Sequence, residues 1–332
     1  MNDKLEKFPR WNDVNPPGSK TQVSVRRALS AVALVCLLGS PAATAAEMKR
    51  DQDERGFYIG ITGYRDRVSN LEFDLATSTA GPGDVDLRFD RSAEFRYDIG
   101  WLIPERKGGV SISYYEYNET QSSGASSAPA VTLLPTSFLD VPVARSSLEG
   151  TAKVLARAVD IAYSRDFKLT DNFRATWILG LRYSRYEHRL EVPYIGSTRD
   201  LAIEEVESLG VGPRVGAGFQ YDFTPRWGLG GSLGVATLFG DTDSSNVSFR
   251  AIGTAVELLT FNEVHNLSRT FTQIDLDMYV SYIIWRTLDV RAGYRYAYWY
   301  DARARHLFGA DDIFETDQVT FDGPYLRVGY LF

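Results

Sequence analysis

The sequence predicts an all-β protein: a closed antiparallel up-and-down barrel of about ten strands (8–12) that crosses a membrane, with long extracellular loops and short periplasmic turns. Three observations predict it. An export signal precedes the bulk of the chain. Hydrophobicity then alternates with period two from Gly56 onward, and short polar turns alternate with long connections.

Composition alone points elsewhere. The chain has 332 residues, 44% hydrophobic, and its mean hydropathy is slightly negative, as in a soluble globular protein. Its net charge of −7 argues against a nucleic-acid partner, which needs a basic face to neutralise phosphates. A single cysteine excludes a disulfide framework and any Cys-based zinc or iron–sulfur site. Residue order overrides the first impression.

The export signal reads as Arg26-Arg27, an apolar run from Ala28 to Gly39, and small residues ending in the A-x-A site Ala43-Thr44-Ala45. The run is shorter than the roughly 20 residues a spanning helix needs. Residues 1–45 are therefore expected to be a leader and cleaved signal peptide, and 46–332 the barrel. Cys36 lies inside the apolar run, so the mature chain should be cysteine-free and more acidic.

Ten strands follow in order, near 56–65, 88–102, 108–118, 153–166, 173–188, 206–223, 227–241, 271–285, 289–302 and 321–332. In the second, the largely apolar set Phe89, Arg91, Ala93, Phe95, Tyr97, Ile99 and Trp101 alternates with Arg88, Asp90, Ser92, Glu94, Arg96, Asp98 and Gly100. The fifth sets Phe173, Ala175, Trp177, Leu179, Leu181 and Tyr183 against Arg174, Thr176, Ile178, Gly180, Arg182 and Ser184. The sixth sets Leu209, Val211, Pro213, Val215, Ala217, Phe219, Tyr221 and Phe223 against Gly210, Gly212, Arg214, Gly216, Gly218, Gln220 and Asp222. The later strands obey the same rule down to Leu326, Val328, Tyr330 and Phe332. Short connections at 103–107, 167–172, 224–226 and 286–288 alternate with long ones at about 66–87, 119–152, 189–205, 242–270 and 303–320.

A β-sandwich also alternates, with its apolar faces inward. Strands of ten or more residues, aromatics towards strand ends, and strict short–long alternation favour the inverted arrangement, apolar outside and polar inside. Backbone groups in lipid must be paired internally, so such a sheet has to close.

The segments VDIAYSRDF (Val159–Phe167), GLRYSRYE (Gly180–Glu187), GVGPRVG (Gly210–Gly216), WGLGGSLGVATLFG (Trp227–Gly240), LDVRAGYRYAYW (Leu288–Trp299) and DGPYLRVGYLF (Asp322–Phe332) together resemble the pore-forming outer-membrane proteins typified by the Legionella major outer membrane protein. The likeness covers roughly 154–332. It implies a Gram-negative outer-membrane location and pore formation, with outer-membrane lipid, lipopolysaccharide and the barrel assembly machinery as partners. Phe332, with Tyr330 two residues before it, resembles the C-terminal signal read by that machinery.

If the apolar face meets lipid, Glu94, Arg96, Asp98, Asp160, Arg174, Arg182, Arg214, Asp222, Asp275, Asp277, Arg291, Arg295 and Arg327 line the lumen. Two outcomes stay open. These charges select small hydrophilic solutes or ions in a pore, or they pair off and fill a narrow interior. The inward glycines Gly210, Gly212, Gly216, Gly218, Gly228, Gly230 and Gly234 either widen the bore or relieve curvature. The apolar loops Ala130–Val143 and Ala251–Phe261 either constrict the mouth or extend the hairpins, and the acidic Asp311, Asp312, Glu315 and Asp317 read best as a solvated loop. His188, His265 and His306 sit at strand ends or in loops without a nucleophile arrangement, so catalysis, a cofactor and a bound metal are not expected. The expected function is an outer-membrane pore, with a non-conducting barrel acting structurally or adhesively through its loops as the alternative.

Overall fold

The computed structural model describes residues 56–69, 71, 73–78, 84–103, 108–126, 133–135, 145–196, 199–252, 255–306 and 314–332. The chain divides into units 1–46 and 47–332. The leader and signal peptide expected over 1–45, with Cys36, lie outside the described residues.

In chain order the strands are β1 (Gly56–Ser69), β2 (Phe73–Ser78), β3 (Asp84–Leu87), β4 (Ser92–Ile103), β5 (Gly108–Ser126), β6 (Leu133–Pro135), β7 (Arg145–Lys168), β8 (Phe173–Gly196), β9 (Arg199–Asp222), β10 (Trp227–Ile252), β11 (Ala255–Trp285), β12 (Leu288–His306) and β13 (Phe314–Leu331). The three short pieces β2, β3 and β6 pair among themselves and touch the wall through Leu133 and Arg145. The other ten form a ring in which each is antiparallel to its two neighbours. The ring closes where β13 pairs with β1, from Tyr58↔Leu331 to Ser69↔Thr320. Closure leaves no strand of the wall with a bare edge inside the bilayer.

The short turns lie at the end that carries Gly56 and Phe332. There the Phe332 amide donates to the Phe57 carbonyl at 2.8 Å. Threonine hydroxyls brace two of these turns: Thr170 accepts from the Phe173 amide at 3.0 Å and Thr224 from the Trp227 amide at 2.9 Å. By the orientation of such barrels this end is periplasmic and the long hairpins are extracellular.

The outward face above these turns is apolar on every strand. On β8 it runs from Phe173 to Tyr183, on β9 from Tyr221 to Leu209, and on β10 from Trp227 to Phe239. About 11 residues at ~3.3 Å each, tilted ~45°, give a band ~25 Å tall, the thickness of an outer-membrane hydrocarbon layer. Tyr330 and Phe332 belong to this exposed belt, and their rings meet at 4.7 Å.

Beyond the band the pattern inverts without any change of side-chain parity. On β8, Arg185, Glu187, Arg189 and Glu191 point out while Tyr186, His188, Leu190 and Val192 are buried inside. On β7, Lys153 and Arg157 point out while Ala152, Val154 and Ala156 are buried. Water has replaced lipid outside, so the strands adopt the ordinary arrangement of a soluble barrel, apolar within.

This inversion corrects two expected loops. The 189–205 and 242–270 connections are mostly continuous sheet: β8 and β9 pair out to Ile195↔Arg199, and β10 and β11 out to Ile252↔Ala255. Ala251–Phe261 therefore extends a hairpin and does not fold into the mouth. Alternation with charged residues outward was mistaken for loop polarity. Of Ala130–Val143 only β6 is described, and Asp311 and Asp312 lie outside the described residues; Glu315 and Asp317 stand in register with Arg305 and Arg303. The β12–β13 hairpin bends at Asp301, whose positive φ of 58° matches a register shift between Trp299 and Arg303. Aspartate tolerates that left-handed conformation better than most residues.

The inward glycines do not simply widen the bore. A Cβ on Gly210 would lie 2.7 Å from the buried Phe271 ring, one on Gly230 2.5 Å from Tyr279, and one on Gly234 2.8 Å from the Arg214 guanidinium. At Gly228 it would meet Gln220 and Asp222. These glycines are seats on which a neighbouring strand's side chain lies flat. Gly212 and Gly216 instead face the β10 backbone closely, which fits the curvature explanation, and Gly218 is less tightly approached. A Gly210→Val substitution should displace Phe271 from Ala236 and Leu238 and cost about 1–3 kcal/mol. The expected result is a lower temperature for loss of the compact band in heat-modified gel mobility.

Candidate functional site: the barrel lumen

The inner wall of the barrel has three levels along its axis, distinguished by how much water reaches them. Nearest the periplasmic end the charges pair along the wall. Arg174 Nη2 donates to Asp222 Oδ2 at 2.9 Å, Arg291 Nε to Asp289 Oδ2 at 2.9 Å, and Arg96 Nε to Asp98 Oδ1 at 2.9 Å. Gln220 donates to Asp222 and Ser281, both at 2.9 Å, and accepts from the Tyr279 hydroxyl at 3.1 Å. Arg291 lies over the Tyr279 ring, 4.9 Å from its centroid. Arg327 lies along Gly60 and reaches Asp98 at 3.5 Å. Several side chains here keep partial solvent contact, 22% for Arg174 and 31% for Asp222, while Asp98 and Asp289 are buried beneath them. Flattened on their glycine seats, they leave a water-accessible vestibule.

At mid-height the charges cross the lumen and lose that contact. Arg182 donates Nε and Nη2 to the two oxygens of Asp160, at 2.6 and 2.8 Å, while its Nη2 also lies 2.6 Å from Asp275 Oδ2. Arg214 approaches the same two carboxylates at 3.7 and 3.5 Å. Arg295 reaches Asp66 at 3.5 Å and Asp275 at 3.7 Å, and it stacks over Tyr115 at 4.1 Å and Tyr64 at 4.9 Å. Arg182 and Asp160 are only 4% and 6% exposed. Gln273 joins this level to the next, accepting from Arg182 Nη1 at 3.2 Å and donating to the Ser184 hydroxyl at 2.8 Å.

Immediately above lies a dry layer. Tyr186, Trp299, Phe321 and Tyr117 are all fully buried. Their rings follow one another at 6.4, 5.3 and 5.2 Å. β8, which carries Tyr186, stands diametrically opposite β13, which carries Phe321, so this row spans the lumen from wall to wall. Tyr64, Val68, Leu71, Leu87, Phe89, Val154, Leu190 and Val192 thicken the layer.

Every residue expected to line the lumen points inward, but they do not form one constriction. Asp160, Arg182, Arg214, Asp275 and Arg295 meet in the central cluster. Arg96, Arg174, Asp222, Arg291 and Arg327 line the vestibule, where Asp277 is half-buried and accepts from Ser232 at 3.3 Å. Glu94 is buried and accepts from the Ser92 hydroxyl at 2.6 Å. Sequence reasoning missed Asp66, Asp289 and Gln273, which are single polar residues on otherwise ordinary strands, whereas parity places Gln220 on the inner face beside Asp222. It also missed the aromatic layer, since aromatics were assigned to the lipid face. The signal was present in parity: Trp299 is out of step with Tyr296, Tyr298 and Tyr300. His188 is buried and lies 3.0 Å from Glu204, with the Tyr186 ring at 5.9 Å. Among the described residues no group of three or more His, Cys, Asp or Glu could hold a metal ion.

Residues 82–332 match the family described as the Legionella pneumophila major outer membrane protein precursor. No curated protein sequence matches the chain. Among solved structures, the outer membrane protease OmpT of Escherichia coli is similar at 11% identity and a TM-score of 0.46, over 86% of this chain and 100% of that one. The toluene transporter TodX of Pseudomonas putida is similar at 8% identity and 0.30, over 84% and 89%. The attachment invasion locus protein Ail of Yersinia pestis is similar at 11% and 0.25, over 84% and 99%.

Replacing Arg182 by Met should cost about 3–5 kcal/mol, because it strands buried carboxylates without their closest partner. Adding Asp160→Asn should recover part of the loss. Equilibrium unfolding by urea in lipid vesicles, followed by tryptophan fluorescence, measures both.

Proposed function

The chain belongs to the Legionella major outer membrane protein family, and we propose that it is a closed outer-membrane barrel with a structural, surface-presenting role, not a standing diffusion pore. The observation that carries this reading is the buried row Tyr186–Trp299–Phe321–Tyr117 lying directly over the Arg182–Asp160–Asp275 cluster. A hydrated solute rising from the vestibule meets a charge network with almost no accessible surface. It then meets a packed aromatic row whose only side-chain hydrogen-bonding groups are two tyrosine hydroxyls and an indole N–H, too few to replace a hydration shell. The barrel anchors the tall sheet of β7 to β11, which lifts the hairpins clear of the membrane. No catalytic step is assigned to it.

One observation favours a second reading, a gated pore. The vestibule is a conduction path already half built, with Arg174, Arg291 and Arg327 each keeping part of its side chain accessible to entering ions. Opening would require Arg182 and Arg295 to leave the axis and the aromatic row to part.

Planar-bilayer recording separates the two. The refolded protein should be electrically silent. Trp299→Ala with Phe321→Ala, combined with Arg182→Ser, should produce stepwise conductance. Steps from the unmodified protein would overturn the sealed barrel, and their alteration on neutralising Arg182, Arg214 or Arg295 would establish the gated pore.

A further inference from the structure

Strand register fixes how high each outward residue stands. A path that leaves β8 at Phe173 and steps from partner to partner, through Gly63 on β1 and Phe95 on β4, returns to β8 at Arg185, twelve positions higher. Twelve positions over ten strands tilt each strand by about 40°, so one residue along a strand rises about 2.5 Å and each partner step about 1.2 residues. Tyr183, the last lipid-facing residue of β8, then stands about 25 Å above Phe173. On the same scale Arg65, Arg67 and Arg91 stand at about 23, 28 and 31 Å. They straddle the edge of the hydrocarbon and enter the headgroup layer, which adds roughly 5–8 Å.

The wall treats this height differently around its circumference. On β10 to β12 the outward residues there are Phe239, Thr272 and Tyr300, which carry no charge. On β7 and β8 they are Arg157 and Arg185, matched by Glu116 at 3.3 Å and Glu207 at 2.9 Å. β1 and the residue that leads into β4 present Arg65, Arg67 and Arg91, all exposed and without a salt bridge among the described residues. Asp322, the register partner of Arg67, accepts instead from the Ser69 hydroxyl at 3.3 Å and from the Tyr294 hydroxyl. Asp90 is exposed and forms no salt bridge with the three arginines. The charges of Arg67 and Arg91 both act on that same Tyr294 hydroxyl, so the two guanidinium groups converge over one part of the wall. Like charges on neighbouring strands repel, and this arc holds no internal counter-charge for them.

We propose that the Arg65–Arg67–Arg91 arc binds the phosphorylated headgroup of the outer-leaflet glycolipid, lipopolysaccharide. Arg67 and Arg91 take a phosphate as charge-assisted donors, whose planar forks suit its oxygens. Arg65 lays its aliphatic stem along the hydrocarbon edge and lifts its head to the same phosphate. The acyl chains lie below, on the exposed Ile61, Phe95 and Leu326. A soluble acidic partner could meet Arg91, but it would have to displace lipid to reach Arg65. A lipid phosphate meets all three from within its own layer. The proposal is independent of whether the lumen conducts.

The test titrates the refolded full chain in detergent with phosphorylated lipid A, dephosphorylated lipid A, phosphatidylglycerol or inorganic phosphate, and counts bound ligand by native mass spectrometry. Phosphorylated lipid A should bind. Arg91→Gln should weaken it by about threefold, Arg67→Gln with Arg91→Gln by about tenfold, and all three changes by about thirtyfold, as expected for exposed charge-assisted contacts. None of these changes removes a salt bridge, so heat-modified gel mobility should stay that of the folded barrel. Arg165→Gln removes an exposed outward arginine near the periplasmic rim and should leave binding unchanged. Equal binding of the dephosphorylated lipid, or undiminished binding by the folded triple variant, would overturn the site. Equal binding of phosphatidylglycerol would overturn the choice of glycolipid, and equal occupancy by inorganic phosphate would overturn a lipid source altogether.

Discussion

A strand inside hydrocarbon has no water to which its amides and carbonyls can turn, and the architecture of this protein follows from that constraint. Ten strands satisfy it by closing, and the closing pair β13–β1 is about as extensive as the β1–β4 pair beside it. Closure makes an inside and an outside that contact different media. The lipid side admits only apolar residues, which leaves the polar residues of each strand confined to an enclosed space. There they must find one another. The cluster of Arg182, Asp160, Asp275 and Arg295 is the answer to that confinement, since a buried charge without a partner is far costlier than a paired one.

The same strands solve a second problem a few residues higher. Once lipid gives way to water, the confined side no longer has to be polar, and Tyr186, Trp299 and Phe321 occupy it. The lumen is thus sealed by two layers of opposite chemistry. The ionic layer faces the vestibule, and the aromatic layer faces the extracellular sheet. The first supplies directional hydrogen bonds that orient the wall; the second excludes water and strengthens the electrostatics beneath it.

The ring and its orientation were legible in the sequence, because a period of two with aromatic ends and alternating short turns admits few other folds. All ten wall strands occur where alternation predicts them. Their lengths were not legible in the same way. Residues such as Arg189, Glu191 and Glu205 look like the polar content of a loop until they are seen to share parity with Leu181, Tyr183 and Leu209. The pattern had inverted instead of ending. The inward charges were likewise readable from parity, whereas their division into a wet and a dry level depends on which side chains cross the lumen. Gly230 beside Tyr279 and Gly210 beside Phe271 show why: a glycine reads as empty space, but what occupies it comes from another strand in register. Single residues such as Asp66 and Gln273 carry no local pattern at all.

The seam between the first and last strands also orders events in time. Tyr58 and Leu331 are neighbours in space yet lie at opposite ends of the wall sequence, so the seam they belong to has a larger loop-closure cost than any other strand pairing among the described residues. Phe321 and Arg327 sit on the last strand, and their partners Tyr117 and Asp98 sit on early ones. Neither the aromatic layer nor the vestibule can be complete until the last strand docks. Assembly must therefore run late and cooperatively, with an open polar trough persisting until the final strand arrives. In reverse, that strand cannot leave without first dismantling the filled interior. The barrel's persistence in the membrane is in this sense a matter of rate, secured by side chains that never touch lipid.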